Sequence, residues 1–195
     1  MAKKKRKNGH HPLVRLDEAV AKAAAPHEET LPVRLLAGLA ETGDQPPMLG
    51  LCGGLVVAGL AAGDPRLFRA GLRMTAAHLL ATGVKNFVKA RIDRTRPRTA
   101  VRNGGSTGMK PGRTDTKEET SFPSGHAAGA AAVARAFARE YPEHGRPAAA
   151  AGGVIALAQI PRCAHYPSDV GAGLAIGLAA EAAVSALLPR WRRND

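Results

Sequence analysis

Three short stretches of the chain hold residues whose types and spacing could do chemistry. The first, Ser121-Phe-Pro123-Ser124-Gly125-His126, stands directly before an alanine-rich run. Pro-Ser-Gly at a helix start presents free backbone N–H groups, and such a terminus binds anions through unpaired donors and the helix dipole. Ser124 can add a hydroxyl donor, Gly125 lets an oxyanion approach the backbone, and His126 can act as a general acid. A serine at a helix start is also an ordinary N-cap. The second stretch, His165-Tyr-Pro-Ser-Asp169, sets a histidine and an aspartate four apart. A carboxylate on one imidazole nitrogen fixes the tautomer and makes the other nitrogen a better nucleophile, although a purely structural His–Asp pair has the same spacing. The third runs from Lys89 to Pro97 and crowds Arg91, Arg94, Arg96 and then Arg98 at the end of an apolar helix. Alone, it reads as a cationic helix end at a membrane surface.

The surrounding elements must bring these stretches together. Residues 13–43 read as a mixed amphipathic helix with breaks at Pro26 and Pro32. Residues 45–63 contain no charged residue, and their length just suffices to cross a bilayer. A segment this rich in glycine inserts only when packed against other helices. Residues 66–88 have a helical pattern, with Arg66, Arg69 and Arg73 on one face near the start. Residues 125–138 are alanine-rich, 147–161 are uncharged, and 170–188 are apolar apart from Glu181. Trp191 among the last arginines reads as an interfacial anchor. Residues 98–122 form one long polar connection, a length that is usually functional or disordered, and no strand is expected. The expected fold is an all-α, membrane-embedded bundle of about five to six helices spanning 13–195, after a basic tail at 1–12. A soluble alanine-rich bundle is the alternative. Simple hairpins converge the motifs: the first ends segment 66–88, and the second opens the segment near 124. The chain then runs away through 125–138, returns through 147–161, and delivers His165 to the same side.

Composition narrows the function classes. The 195 residues are 45% hydrophobic but only 4% aromatic, which excludes long disorder and disfavours a β-sandwich or barrel. A net charge of +12 favours an anionic partner: nucleic acid, anionic lipid or a phosphorylated substrate. The run Lys3–Lys7 repels itself and reads as a solvated tail, or as an anchor to anionic lipid. Nucleic-acid binding is disfavoured, because no aromatic residues are interleaved for stacking and no fold signature supports it. No apolar run and cleavage site follow the cations, so they do not open a signal peptide. Two cysteines, Cys52 and Cys163, make neither a disulfide framework nor a zinc pattern, and both read as inert. His78 reads as an ordinary helix residue, and His10, His11, His27 and His144 as surface.

Taken together and in order, the three stretches resemble the type-2 phosphatidic acid phosphatase (PAP2) family, which shares its site with vanadium haloperoxidases. Lys89, Arg96 and Pro97 match the family's first motif, Pro123 to His126 its second, and His165 with Asp169 its third. The resemblance covers roughly residues 48–188. One position departs: the arginine usual six residues before the third motif's histidine is Gln159, preceded by Ala158. Arg162 stands three residues before His165 and could supply the guanidinium. Losing a charged hydrogen bond to a buried phosphate costs about 2–3 kcal/mol, roughly a hundredfold in rate.

The resemblance implies a metal-independent membrane phosphatase without a cofactor. His165 would attack phosphorus to form a phosphohistidine, and Asp169 would orient it. His126 would protonate the leaving oxygen and then activate water. Lys89, Arg96, Ser124, Gly125 and Arg162 would hold the phosphoryl oxygens, consistent with catalysis by positioning and charge neutralisation. The apolar segments point to a lipid phosphate or polyprenyl (pyro)phosphate substrate in the cell membrane, met by a multi-pass protein. Two other readings use the same residues: a catalytically weak phospholipid-binding protein, motivated by Gln159, and vanadate-dependent halide oxidation, which the small chain disfavours. The family usually places its site on the extracytoplasmic face, after three crossings. Only two apolar segments precede Lys89 here, so either residues 31–43 add a short crossing or the site faces the cytoplasm. The cations from Lys89 to Lys117 favour the cytoplasm. Those at the end of the chain want that side too, yet an odd number of crossings lies between. The family topology is the expectation adopted.

Overall fold

The computed structural model describes residues 11–104 and 107–188. Among them are eight α-helices: α1 (Pro12–Ala24), α2 (Leu31–Ala40), α3 (Gln45–Ala62), α4 (Pro65–Lys89), α5 (Pro97–Asn103), α6 (Gly125–Glu140), α7 (Gly145–Leu157) and α8 (Pro167–Leu187). The basic run Lys3–Lys7 and Trp191 lie outside the described residues. The five long apolar segments of the sequence become α3, α4, α6, α7 and α8. The helix count exceeds the expected five to six for local reasons. Residues 13–43 divide in two, and Pro32 stands in the first turn of α2, where its missing N–H costs nothing. The polar connection also forms a helix, α5, which begins at Pro97 and closes on Gly104 at φ +62°. In that connection β1 (Ile92–Asp93) pairs antiparallel with β2 (Lys110–Pro111), a ladder too short to show a period.

Asp64 caps α4 by accepting from Arg66 N at 2.8 Å and Leu67 N at 3.1 Å, and Ser124 caps α6 at Ala127 N. Helix α6 is central and packs on α4, α7 and α8. Its buried face is small, from Ala127 through Val133, so backbones approach closely. At Gly173 and Gly177 of α8 a methyl group would stand 2.4 Å from Ser124 O and 2.3 Å from Ala128 O. These two glycines, one turn apart, therefore set the α6–α8 spacing. The core joins Met48 and Cys52 of α3, Met74 and Ala77 of α4, Ala132 of α6, and Ala180 and Val184 of α8. Large apolar side chains point outward along the bundle, among them Leu51, Val57, Leu60, Leu79, Phe87, Leu157 and Leu178. Helices α3 and α8 are long and apolar enough to cross a membrane.

The bundle has two chemically distinct ends. At one, the close of α4 meets the starts of α6 and α8. At the other, Arg66 pairs with Glu143 at 2.6 Å, Arg73 with Glu140 at 2.6 Å, and Arg139 with Glu181 at 2.9 Å. Helices α1 and α2 stay with the first end. Asp17 of α1 accepts from Arg94 and from the backbone of Ser168, where α8 begins.

Candidate active site

The three sequence stretches converge on one cavity of about 280 Å³ at the first end of the bundle, lined by Lys89, Arg96, Gly125, His126, Gln159, Arg162 and His165. Lys89 closes α4 and donates to Thr120 O. Arg96, one residue before α5, is steadied by Lys117 O at 2.6 Å. Gly125 begins α6 against Lys85, and a methyl group there would meet the Lys85 side chain at 3.1 Å. His126 sits in the first turn of α6, with Nε2 2.9 Å from Asp44 Oδ1.

His165 lies in the turn before α8 and is 4% exposed. Its Nδ1 is 3.7 Å from Asp169 Oδ2, longer than a hydrogen bond and within the range of an ion pair once the ring is protonated. The backbone of His165 donates to Gln159 O at 3.2 Å. Burial, with Arg96 and Lys89 nearby, pushes the His165 pKa down from 6.5 to about 4 despite the pull of Asp169. The imidazole is therefore neutral and nucleophilic at physiological pH.

Asp169 stands behind His165, fully buried. It accepts from Ser121 Oγ at 2.5 Å, from Tyr166 N at 2.9 Å, and from Arg94 Nη1 at 2.5 Å. Arg94 is 1% exposed; it also donates to Asp17 at 2.7 Å and lies over the Tyr166 ring. A triad of Asp17, Arg94 and Asp169 thus ties α1 to the back of the site. Removing Arg94 would strand two buried carboxylates, at a cost of about 3–5 kcal/mol.

Ser124 is the one expected phosphate ligand that does not reach the cavity wall. It is fully buried, and its hydroxyl accepts the capping bond from Ala127 N at 3.4 Å. Gln159 does reach the wall: its Nε2 donates to Ile155 O at 3.0 Å, and its buried Oε1 has no partner among the described residues. Arg162 enters the same cavity. Its Nη2 is 3.5 Å from Glu41 Oε1, and its buried Nη1 has no partner among the described residues.

Several lining residues had no signal in the sequence. Lys85 lies one helical turn before Lys89, and His78 two turns before Lys85, both on the cavity side of α4. A periodic reading of α4 could have placed Lys85 beside Lys89. Glu41 and Asp44 come from the turn between α2 and α3, and only tertiary packing reveals them. Arg94 was visible as one of a crowd of cations, but nothing local marked it as buried.

The PAP2 superfamily profile matches residues 70–193. No curated protein sequence matches the chain. Among solved structures, a transmembrane PAP2-type phosphatidylglycerolphosphate phosphatase from Bacillus subtilis shares the fold, with a TM-score of 0.65 and 20% identity. The match covers 95% of this chain and 91% of that one. The chain belongs to the PAP2 superfamily, and its fold is a membrane-embedded helical bundle.

Proposed function

We propose that this PAP2-superfamily protein hydrolyses a lipid phosphate or polyprenyl (pyro)phosphate through a phosphohistidine, without a metal. The observation that carries the reading is a buried, neutral His165 facing a cavity whose other walls are Lys89, Arg96, Arg162 and His126. Cations on three sides attract a phosphate and repel a metal ion. Because Nδ1 of His165 faces Asp169, Nε2 is the nitrogen left for phosphorus. The N–P bond forms as the P–O bond to the alcohol, or to the inner phosphate of a pyrophosphate, breaks, and His126 gives its proton to the departing oxygen. His126 then takes a proton from water, the water oxygen bonds to phosphorus, and the N–P bond breaks to return His165 and release inorganic phosphate. Lys89, Arg96 and Arg162 spread the equatorial charge, with backbone N–H groups at Gly125 and the first turn of α6. In this scheme Ser124 acts only by starting α6 in the right direction.

The substrate class follows from the neighbouring surface. An apolar cleft of about 350 Å³, lined by Met48, Leu51, Ala130 and Ile155, runs between α3, α6 and α7. The two spaces adjoin where Ile155 of the cleft packs on Gly43 of the cavity, so closely that a methyl group at Gly43 would stand 2.4 Å from it. A phosphate in the cavity thus continues into space suited to an acyl or prenyl chain. The test is phosphate release by detergent-solubilised protein in EDTA. Substrates would be phosphatidic acid, phosphatidylglycerolphosphate and a polyprenyl pyrophosphate, each against a water-soluble phosphomonoester. Release from a lipid phosphate in EDTA supports the reading. Preference for the soluble ester, or loss of activity in EDTA, contradicts it.

A further inference from the structure

We infer that His78, with Thr82 beside it, reads the glycerol unit of a lipid phosphate by hydrogen-bonding an oxygen that such a lipid carries one helical turn beyond the reacting phosphorus. The inference rests on the proposed function and narrows its substrate from lipid phosphates in general to glycerol-based ones. It starts from an unpaired buried histidine. His78 is 2% exposed, and neither Nδ1 nor Nε2 has a hydrogen-bond partner among the described residues. A neutral imidazole carries one donor and one acceptor, and leaving them buried and unmade is costly. A partner from outside the fold removes that cost. The partner is not the reacting phosphate, because His78 stands eleven residues before Lys89, about 16 Å along the axis of α4.

The place of His78 shows where that partner comes from. Met74, His78, Thr82, Lys85 and Lys89 recur every three or four residues and share one face of α4. Met74 lines the apolar cleft, and the other four line the phosphate cavity. The same change of character occurs on the facing helices. On α6, Gly125 and His126 line the cavity and Ala130 lines the cleft. On α7, Ile155 lines the cleft, while Gln159, just past the helix end, lines the cavity. Between them lies Gly129, where a methyl group would stand 2.9 Å from His78 Cε1 and 3.1 Å from Nδ1. The imidazole is therefore set flush against the α6 backbone, at the level where polar cavity gives way to hydrocarbon space.

That level selects the chemistry of the ligand. Gly129 lies one turn beyond Gly125, about 6 Å along α6. With the reacting phosphate held at Gly125, the group beside His78 is the one about five bonds beyond phosphorus. In phosphatidic acid this is an acyl ester carbonyl. In phosphatidylglycerolphosphate it is the inner phosphodiester. In a prenyl phosphate, or a prenyl diphosphate attacked at its outer phosphorus, five bonds already reach hydrocarbon. An imidazole N–H and a threonine hydroxyl donate to an ester or phosphodiester oxygen and gain nothing from a prenyl chain. A site built to hydrogen-bond a substrate discriminates against the analogue that leaves its polar groups unpaired.

Two measurements on the full-length protein in detergent test this. The first needs no turnover: the Kd of two non-hydrolysable phosphonates, one the analogue of a diacylglycerol phosphate and one of a prenyl phosphate of similar length. Wild type is expected to bind the diacylglycerol phosphonate about tenfold more tightly, and His78→Leu to narrow that ratio to about twofold or less. His78→Gln, which keeps an N–H donor, retains most of the preference. A wild-type ratio near one, or a ratio that His78→Leu leaves unchanged, overturns the inference and leaves His78 a partner of water only. The second is wild-type kcat/KM on phosphatidic acid, its dialkyl ether analogue and phosphatidylglycerolphosphate. A carbonyl contact makes the ether analogue about tenfold poorer than phosphatidic acid, and a phosphodiester contact makes phosphatidylglycerolphosphate about tenfold better than both. Three equal values overturn the inference. No release from any of the lipids contradicts the proposed reaction instead, and the phosphonate ratio still decides the role of His78.

Discussion

The two ends of the bundle use the same side-chain chemistry for opposite ends. At the far end, Arg66, Arg69, Arg73, Arg135 and Arg139 meet Glu140, Glu143 and Glu181 directly, and Arg66 also stacks on Tyr141. These ion pairs strap helices together. At the cavity end, Lys85, Lys89, Arg96 and Arg162 surround an open space. The partners of Lys89 and Arg96 are backbone carbonyls, and that of Arg162 is a carboxylate at the rim. Behind and beside the cavity, Arg94, Arg98 and Arg102 are wired like far-end residues. Charge that is cancelled within the fold stabilises it. Charge held apart and inward is, under the proposed function, available to an anion, and a phosphorylated substrate would complete the pairing.

The sharpest way to break this comparison is to remove the group that only the cavity end possesses. His165→Ala is expected to lower kcat by about 10⁴-fold or more while the protein stays folded in detergent. Turnover within tenfold of wild type would remove the histidine from the chemistry. Next in size is Arg162→Ala, expected to lower kcat/KM by about a hundredfold through a lost charged bond to the transition state. If Arg162 fills the role left by Gln159, then Gln159→Arg changes the wild type by only a few fold but restores much of the activity of Arg162→Ala. A large gain from Gln159→Arg in the wild type would instead show that the position was empty.

The pH dependence sharpens the picture further. Protonated His165 cannot attack, so the acid limb set by this group should appear near its pKa of about 4 rather than near 6.5. Above that limb activity holds, and below it activity falls about tenfold per pH unit. The same shift bears on stability. The folded pKa lies below the unfolded value, so this contribution is complete above pH 6.5 and is lost as pH falls toward 4. A pH–rate profile paired with melting curves separates the two effects. The smallest effect on activity belongs to the far end. Glu181→Gln is expected to cost about 1–3 kcal/mol of stability by leaving Arg139 without its carboxylate, with turnover per folded molecule within twofold. Activity loss on the scale of Arg162→Ala would erase the distinction between the ends.

How much of this was legible in the sequence differs by region. The long segments announced α3, α4, α6, α7 and α8 to within a few residues, because each carries an uncharged, alanine-rich or helically patterned run long enough to show itself. The motif residues Lys89, Arg96, His126 and His165 were legible because their types and order are specific to one chemistry. The two short helices α1 and α2 were merged, since Pro32 can start a helix as well as stop one. Helix α5 was missed because seven residues cannot show a period. The pairing of Arg94 with Asp17 went unread because a buried ion pair between residues 77 apart leaves no local mark. Ser124 carried both of its possible roles in sequence, and the capping role is the one its hydroxyl adopts.

The most direct test of the central claim is to trap the phosphoenzyme. Protein in EDTA would be mixed with a ³²P-labelled lipid phosphate, quenched in base, and counted after separation. The account predicts label on wild-type protein that survives base and is lost in acid, as a phosphoramidate is. It predicts none on His165→Ala, and slower labelling of a His126→Ala variant, in which the first step lacks its acid. Equal labelling of His165→Ala, or phosphate release by wild type with no base-stable label at any time, would contradict it.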